Sequence, residues 1–163
     1  MTENFTIENG VLLSFSGEEH SIVIPDGVFA IGNGVFKGMS WITDITLPDS
    51  ISEIGDNAFK GCRNLVCINF PDGLQRIGDF AFHRCHSLVS ADLPDSVTCL
   101  GKGVFLFCDN LKSIKARGVK NLEMQTFAND TQLEEITLNS ETDFSNFKFD
   151  SIHRYSNIFK TLF

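Results

Sequence analysis

The sequence predicts an α/β fold: a right-handed solenoid of parallel short strands, with one short helical or 3-10 turn in each 23-residue repeat. Three observations carry this reading. Whole phrases recur, since ITLPDSISEIGDNAFKGCRNLVC (45–67) is followed by INFPDGLQRIGDFAFHRCHSLVS (68–90) and ADLPDSVTCLGKGVFLFCDNLKS (91–113). All 4 prolines, Pro25, Pro48, Pro71 and Pro94, stand in one register, each followed by an aspartate. The aromatic content is 16 Phe against 1 Tyr and 1 Trp, a bias toward the ring without a polar handle, which suits a buried column. With 42% hydrophobic residues in 163, the chain has enough apolar surface for one continuous core.

The elements follow in chain order. Residues 1–21 are expected to form an N-terminal cap, because FTIE and VLLSF flank Asn9-Gly10, a strong hairpin signal. Five repeats come next, at 22–44, 45–67, 68–90, 91–113 and 114–135; the last is one residue short and has Arg117-Gly118 in place of Pro-Asp. Each opens on a strand, where Ile22, Ile45, Ile68, Ala91, Ile114 and Ile136 alternate with Ile24, Leu47, Phe70, Leu93, Ala116 and Leu138. Pro-Asp ends that strand, since proline has no N–H for a ladder. A second apolar pair (Ile51/Ile54 in the second repeat) precedes Gly32, Gly55, Gly78 and Gly101, where positive φ or close approach to the next coil is expected. The helical or 3-10 turn then places Phe36, Phe59, Phe82, Phe105 and Phe127 in a structural spine. Residues 136–163 supply a last strand and a C-terminal cap, with Ile152, Tyr155, Ile158, Phe159 and Leu162 at helical spacing.

Charge narrows the choice of partner. A formal charge of −8 opposes nucleic acid and anionic lipid surfaces, so no nucleic-acid binding is expected. No run approaches the ~20 apolar residues of a membrane helix, and MTENFTIENG lacks the basic head and apolar stretch of a signal peptide; on that ground alone the expected location is cytoplasmic. The 5 cysteines are read as reduced thiols, and a monomer is favoured over a homo-oligomer.

The repeat frame fixes where the reactive side chains stand. Cys62, Cys85 and Cys108 stand 23 residues apart, in one column with Met39 and Asp130. Stacked equivalent thiols point the same way, whereas zinc needs ligands from different directions, so buried small hydrophobes are expected and no metal or cofactor. His83-Arg84-Cys85-His86 concentrates nucleophile and base types, but the frame turns Cys85 into the core and leaves His83 and His86 outside. Arg63, Arg76, His83, Arg84 and His86 instead read as a basic patch that suits an acidic partner, with Glu53 beside Arg76 as an exposed pair. The runs Gly32-Asn33-Gly34 and Gly101-Lys102-Gly103 are bends, not phosphate loops. Asn4-Phe5-Thr6 and Asn129-Asp130-Thr131 fit a glycosylation sequon, relevant only to a secreted eukaryotic chain.

The phrase I-x-L-P-D-S-I-x-x-I-G-x-x-A-F-x-G-C-x-x-L, read from Ile45 to Leu65, resembles the BspA-like (treponemal-type) leucine-rich repeat family, over roughly residues 5–138. The resemblance implies a leucine-rich-repeat solenoid and a ligand-presenting scaffold. It also implies a cell-surface or secreted setting in bacteria and some protozoa, associated with adhesion. If the first strands line the concave face, their outward residues form two rows: Asp44, Cys67, Ser90, Ser113, Glu135 and Thr46, Asn69, Asp92, Lys115, Thr137. The expected function is therefore a non-enzymatic scaffold for a protein or glycan ligand. A self-assembling module that uses the Phe-rich C-terminal segment is the alternative, and a Cys/His-dependent enzyme comes third.

Overall fold

The computed structural model of the protein describes residues 4–123, 125–127, 132–143 and 145. Alternating apolar residues, cut short by Pro-Asp and Gly, give strands of two to five residues that wind into a parallel β-solenoid of about five turns. The chain enters through an antiparallel hairpin of β1 (Phe5–Glu8) and β2 (Val11–Phe15). Asn9 and Gly10 at its tip have φ of 49° and 75°, the double left-handed turn that matches strand twist.

From β2 onward each coil adds one rung to each of two strand faces. The first strands are β3 (Ser21–Val23), β5 (Asp44–Thr46), β7 (Cys67–Ile68), β9 (Ser90–Asp92), β11 (Ser113–Ala116) and β12 (Glu135–Leu138). The second strands are β4 (Ala30–Ile31), β6 (Glu53–Ile54), β8 (Arg76–Ile77) and β10 (Cys99–Leu100). The second strands stack with the hairpin as one sheet in the order β1-β2-β4-β6-β8-β10. The first strands make two sheets, β3-β5-β7 and β9-β11-β12, with no pairing between β7 and β9. Registers are translational: Ile22 faces Ile45 and Ile45 faces Ile68, and beyond the gap Ala91 faces Ile114 and Ile114 faces Ile136.

The third side departs from expectation, because none of the described residues is helical. Two columns four residues apart adopt positive φ. One holds Gly34, Asn57, Phe80, Gly103 and Gln125, and the other Gly38, Gly61, Arg84 and Phe107. A left-handed residue every fourth position prevents any helix from propagating. Each coil instead makes tight turns, with the Lys60 N–H donating to Asn57 O (3.1 Å) and the Cys62 N–H to Phe59 O (3.0 Å). The intervening amides donate along the axis to the next coil, Phe59 N–H to Ala81 O (2.8 Å) and Phe82 N–H to Val104 O (2.9 Å). A hydrogen-bonded ladder thus runs down this side too, and it satisfies backbone groups beside the core.

The rings of the spine stack inside that side. Phe36, Phe59, Phe82 and Phe105 are fully buried, with successive centroids 5.3, 5.1 and 5.6 Å apart, and Phe127 follows at 6.4 Å. The column continues toward the N-terminus, where Phe15 lies 5.5 Å from Phe36 and Phe5 lies 5.0 Å from Phe15. The hairpin closes the open end of the core with two further rings. The proposed C-terminal cap at 147–163 lies outside the described residues.

Gly32, Gly55, Gly78 and Gly101 do not have positive φ, and close approach is what they provide. A Cβ on Gly55 would sit 2.8 Å from Ile31 O and 2.9 Å from Asn33 N. The space admits a side-chain ladder: Asn33 Oδ1 accepts from Asp56 N–H (2.8 Å), Asp56 Oδ1 from Asp79 N–H (2.9 Å) and Asp79 Oδ1 from Lys102 N–H (2.9 Å). The fifth coil keeps this plan despite losing Pro-Asp. Val119 N–H still closes its turn on Ala116 O (3.2 Å), and Val119 and Leu122 are buried.

Candidate functional site

The ten outward residues of the first strands are solvent-exposed or half-buried, as the strand period requires. They form two files in register within each sheet, Asp44 beside Cys67, then Ser90 beside Ser113 beside Glu135. Three are engaged. Lys115 Nζ pairs with Asp92 Oδ2 at 2.8 Å, and Asn69 is bonded to the backbone of the coil before it. Asn69 Oδ1 accepts the Leu47 N–H (2.7 Å) while its Nδ2 donates to Leu47 O (2.9 Å). In other coils a backbone carbonyl takes the first of these roles, Thr46 O for Ile24 and Lys115 O for Leu93. Asn69 is therefore part of the frame, not a free surface residue. Thr46, Ser90 and Ser113 remain as small polar groups, and exposed Val23, Trp41, Val66 and Val89 lie in or just before the same strands.

Of the five residues read as a basic patch, Arg63, His83, Arg84 and His86 lie on the turn side, and Arg76 lies on a strand side. Arg76 stands on β8 and pairs with Glu53 Oε1 (2.5 Å) and Asp56 Oδ1 (3.8 Å). His86 Nδ1 bonds Asp109 Oδ2 at 2.6 Å. His83, expected on the outside, is clamped between Phe80 (centroids 5.7 Å apart) and Phe107 (5.8 Å), with both ring nitrogens buried and without hydrogen-bond partners. Burial chiefly, then the charges of Lys60, Arg84 and His86, lowers its pKa from the usual 6.5 to about 4, so it carries no charge at neutral pH. The left-handed backbone at Phe80 and Phe107 directs both rings against the imidazole in place of a helical turn.

Arg63 and Arg84 do come together, with Lys37, Lys60 and Ser40, around a hollow of about 310 Å³ floored by Gly38 and Gly61. The two lysines lie outside the basic patch that the sequence predicts, although Lys37 and Lys60 are 23 residues apart and so must stack. Lys60 Nζ lies 5.5 Å from the centroid of Phe80, and the Arg84 guanidinium 5.8 Å from that of Phe107.

The thiols are built into the core. Cys62, Cys85 and Cys108 are fully buried, and each donates to a carbonyl of the preceding coil: Phe36 O (3.1 Å), Phe59 O (3.2 Å) and Phe82 O (3.2 Å). Burial pushes Cys62 up to about 12 and holds Cys85 well above the usual range, the reverse of an activated nucleophile. Cys67 and Cys99 are exposed. Among the described residues no three His, Cys, Asp or Glu side chains converge as a metal site requires, and no helix is long and apolar enough to cross a membrane.

With this geometry in view, the BspA type leucine rich repeat region matches residues 13–134 in six copies. The chain belongs to the BspA-type leucine-rich repeat family. Among solved structures, a leucine-rich repeat protein of T. pallidum is 30% identical, with 79% of this chain and 77% of that one covered and a TM-score of 0.61. A leucine rich cell surface protein of Faecalibacterium prausnitzii is 27% identical over 78% of this chain and 35% of its own length, with a TM-score of 0.71. The pneumococcal vaccine antigen PcpA shares the fold at 24% identity, covering 85% of this chain and 36% of that one, with a TM-score of 0.76. The chain thus spans about a third of the last two. No curated protein matches it at a significant level. BspA-type arrays are repeat scaffolds, typically for protein interaction and typically without catalysis.

Proposed function

We propose that this BspA-type chain is a non-enzymatic recognition scaffold whose first-strand face docks a protein or glycan partner, in the service of adhesion at a cell surface. The observation that carries the reading is the division of labour along β3, β5, β7, β9, β11 and β12. Their inward positions are apolar and, Phe70 apart, buried, while the outward ones, apart from Asn69, change from coil to coil without bonding the backbone of the frame. A frame of that kind varies its surface at little cost in stability. Trp41 and the exposed valines give the polar rows the apolar anchors that binding hot spots need. The cell-surface designation of the F. prausnitzii relative supports the location.

The test is surface plasmon resonance of the whole chain against a panel of extracellular-matrix proteins and glycans, with the double variant Thr46→Arg, Ser90→Arg as comparison. Both side chains are exposed and make no hydrogen bond among the described residues, so the fold should persist by circular dichroism. Saturable binding that weakens at least ~10-fold in the variant is expected, a loss of ~1.4 kcal/mol. Saturable binding indifferent to both substitutions, or no saturable binding to any member of the panel, overturns the assignment.

A further inference from the structure

We infer that the hollow on the turn side is a second contact site of the same scaffold, and that it takes an anionic sugar: a sulfated oligosaccharide segment. The inference rests on the recognition-scaffold reading but uses a different face.

Charge is the first argument. Lys37, Lys60, Arg63 and Arg84 surround one hollow on a chain of net charge −8, and among the described residues none of them has a carboxylate within ion-pair distance. The concentration is therefore local and uncompensated, and the lowered pKa of neighbouring His83 responds in part to Lys60 and Arg84. Geometry is the second. Lys37 and Lys60 occupy one column of the repeat and Ser40 and Arg63 another, so equivalent groups recur at about the 4.7–4.9 Å spacing of adjacent strands. Lys60 and Arg84 are held over aromatic rings, which restricts their motion before a ligand arrives.

The lining selects the class of ligand. Gly38 and Gly61 amides already donate to Lys60 O (2.7 Å) and His83 O (2.8 Å), while their carbonyls accept from Ser40 and Arg63 N–H (both 2.8 Å). The backbone groups of both floor glycines are thus taken, and no apolar side chain lines the hollow to seat one from a peptide. What remains is a rim of N–H and O–H donors, which suits sulfate and hydroxyl groups. The volume, about 310 Å³, is at the low end of the ~300–1,000 Å³ typical of small-ligand sites and fits a short sugar segment. An extended polyanion such as a nucleic-acid duplex would meet the acidic remainder of the surface.

Isothermal titration of the whole chain with a heparin-derived hexasaccharide tests this, against its desulfated counterpart and inorganic sulfate. Saturable, salt-sensitive binding is expected for the sulfated hexasaccharide, at least ~10-fold weaker for either comparison. Lys60→Gln with Arg84→Gln should weaken it at least ~10-fold; should that pair disturb folding, Lys37→Ala with Arg63→Ala, which removes no ring contact, must do the same. Lys115→Ala should leave it unchanged. Equal affinity for inorganic sulfate, an undiminished response in folded variants, or no heat up to millimolar probe overturns the hollow as a sugar site. Thr46→Arg, Ser90→Arg should not alter hexasaccharide binding, so loss of partner binding on the strand face and loss of sugar binding here are separate outcomes.

Discussion

His83 shows how much one side chain departs from its surroundings. The column that holds it runs Lys37, Lys60, His83, Leu106, from exposed cation to buried hydrocarbon, and His83 sits at the crossover with two orphaned ring nitrogens. Its folded pKa of about 4 is below the ordinary 6.5. Between those values the unfolded chain binds a proton that the native chain refuses, so stability declines as pH falls from about 6.5 to about 4; below that range both states are protonated and the group contributes no further slope. His83→Leu, which copies the buried Leu106 of the next coil, should flatten that acid limb and raise the melting temperature more at pH 5 than at pH 7.5. Calorimetry across the window checks it, and parallel curves for parent and variant would count against the clamp. The burial was hidden in the sequence because it depends on Phe80 and Phe107 swinging over the ring from left-handed backbone positions. The buried thiols, by contrast, were readable from their spacing, since equivalent positions in a stack share one environment.

At the scale of the element, what decides the coil is contact between equivalent backbones. Gly78 lies against Asp56 of the preceding coil: a Cβ there would press on Asp56 Oδ1 and sit 2.7 Å from Asp56 N and 2.8 Å from Gly55 C. Neither backbone atom can yield without breaking the Asn33-Asp56-Asp79 ladder. Gly78→Ala should cost about 1–3 kcal/mol, as overpacking does. Gly73→Ala, whose Cβ would meet nothing nearer than 3.4 Å and whose φ is not positive, should cost little. Urea denaturation of the two variants compares them, and equal midpoints would refute the close-approach role. The first strands, the hairpin and the bends were legible, because each has a local chemical signature, whereas the second strands showed only as an apolar pair before Gly32, Gly55, Gly78 and Gly101. The third side was not: a conserved ring every 23 residues looks like a helical turn, and the decisive signal was the glycines at 34, 38, 61 and 103, which mark two left-handed columns. The lysines of the hollow escaped for a related reason, since only the real turn geometry brings Lys37 and Lys60 to the same rim as Arg84.

For the whole molecule, the consequence of nearest-neighbour stacking is that stability is a sum over interfaces, and one interface is visibly poorer than the rest. Val66 and Lys112 amides each donate to the preceding coil at 2.8 Å, to Thr43 O and Val89 O, whereas the equivalent Val89 amide has no backbone partner among the described residues and β7 and β9 do not pair. The cause lies one coil earlier. Asn69 bonds Leu47 with its side chain instead of its carbonyl, β7 stops after two residues, and Phe70 fills the column of Ile24, Leu47 and Leu93 only half-buried, edge-on to Phe82 at 5.7 Å. The other two sides remain joined across the same junction, through β8–β10 and the Phe82 N–H to Val104 O bond. Opening is therefore confined to the first-strand face, in the middle of the proposed docking surface. Native-state hydrogen exchange should find the Val89 amide at least ~10-fold faster than those of Val66 and Lys112, a difference of ~1.4 kcal/mol in local opening, while the Phe82 amide stays protected. Phe70→Leu, which restores the residue type of the neighbouring coils, should slow Val89 toward its neighbours. Uniform protection down the face in the parent chain would mean that the ladder is continuous in solution, and that a partner meets one rigid sheet of six rungs instead of two sheets of three that can shift against each other.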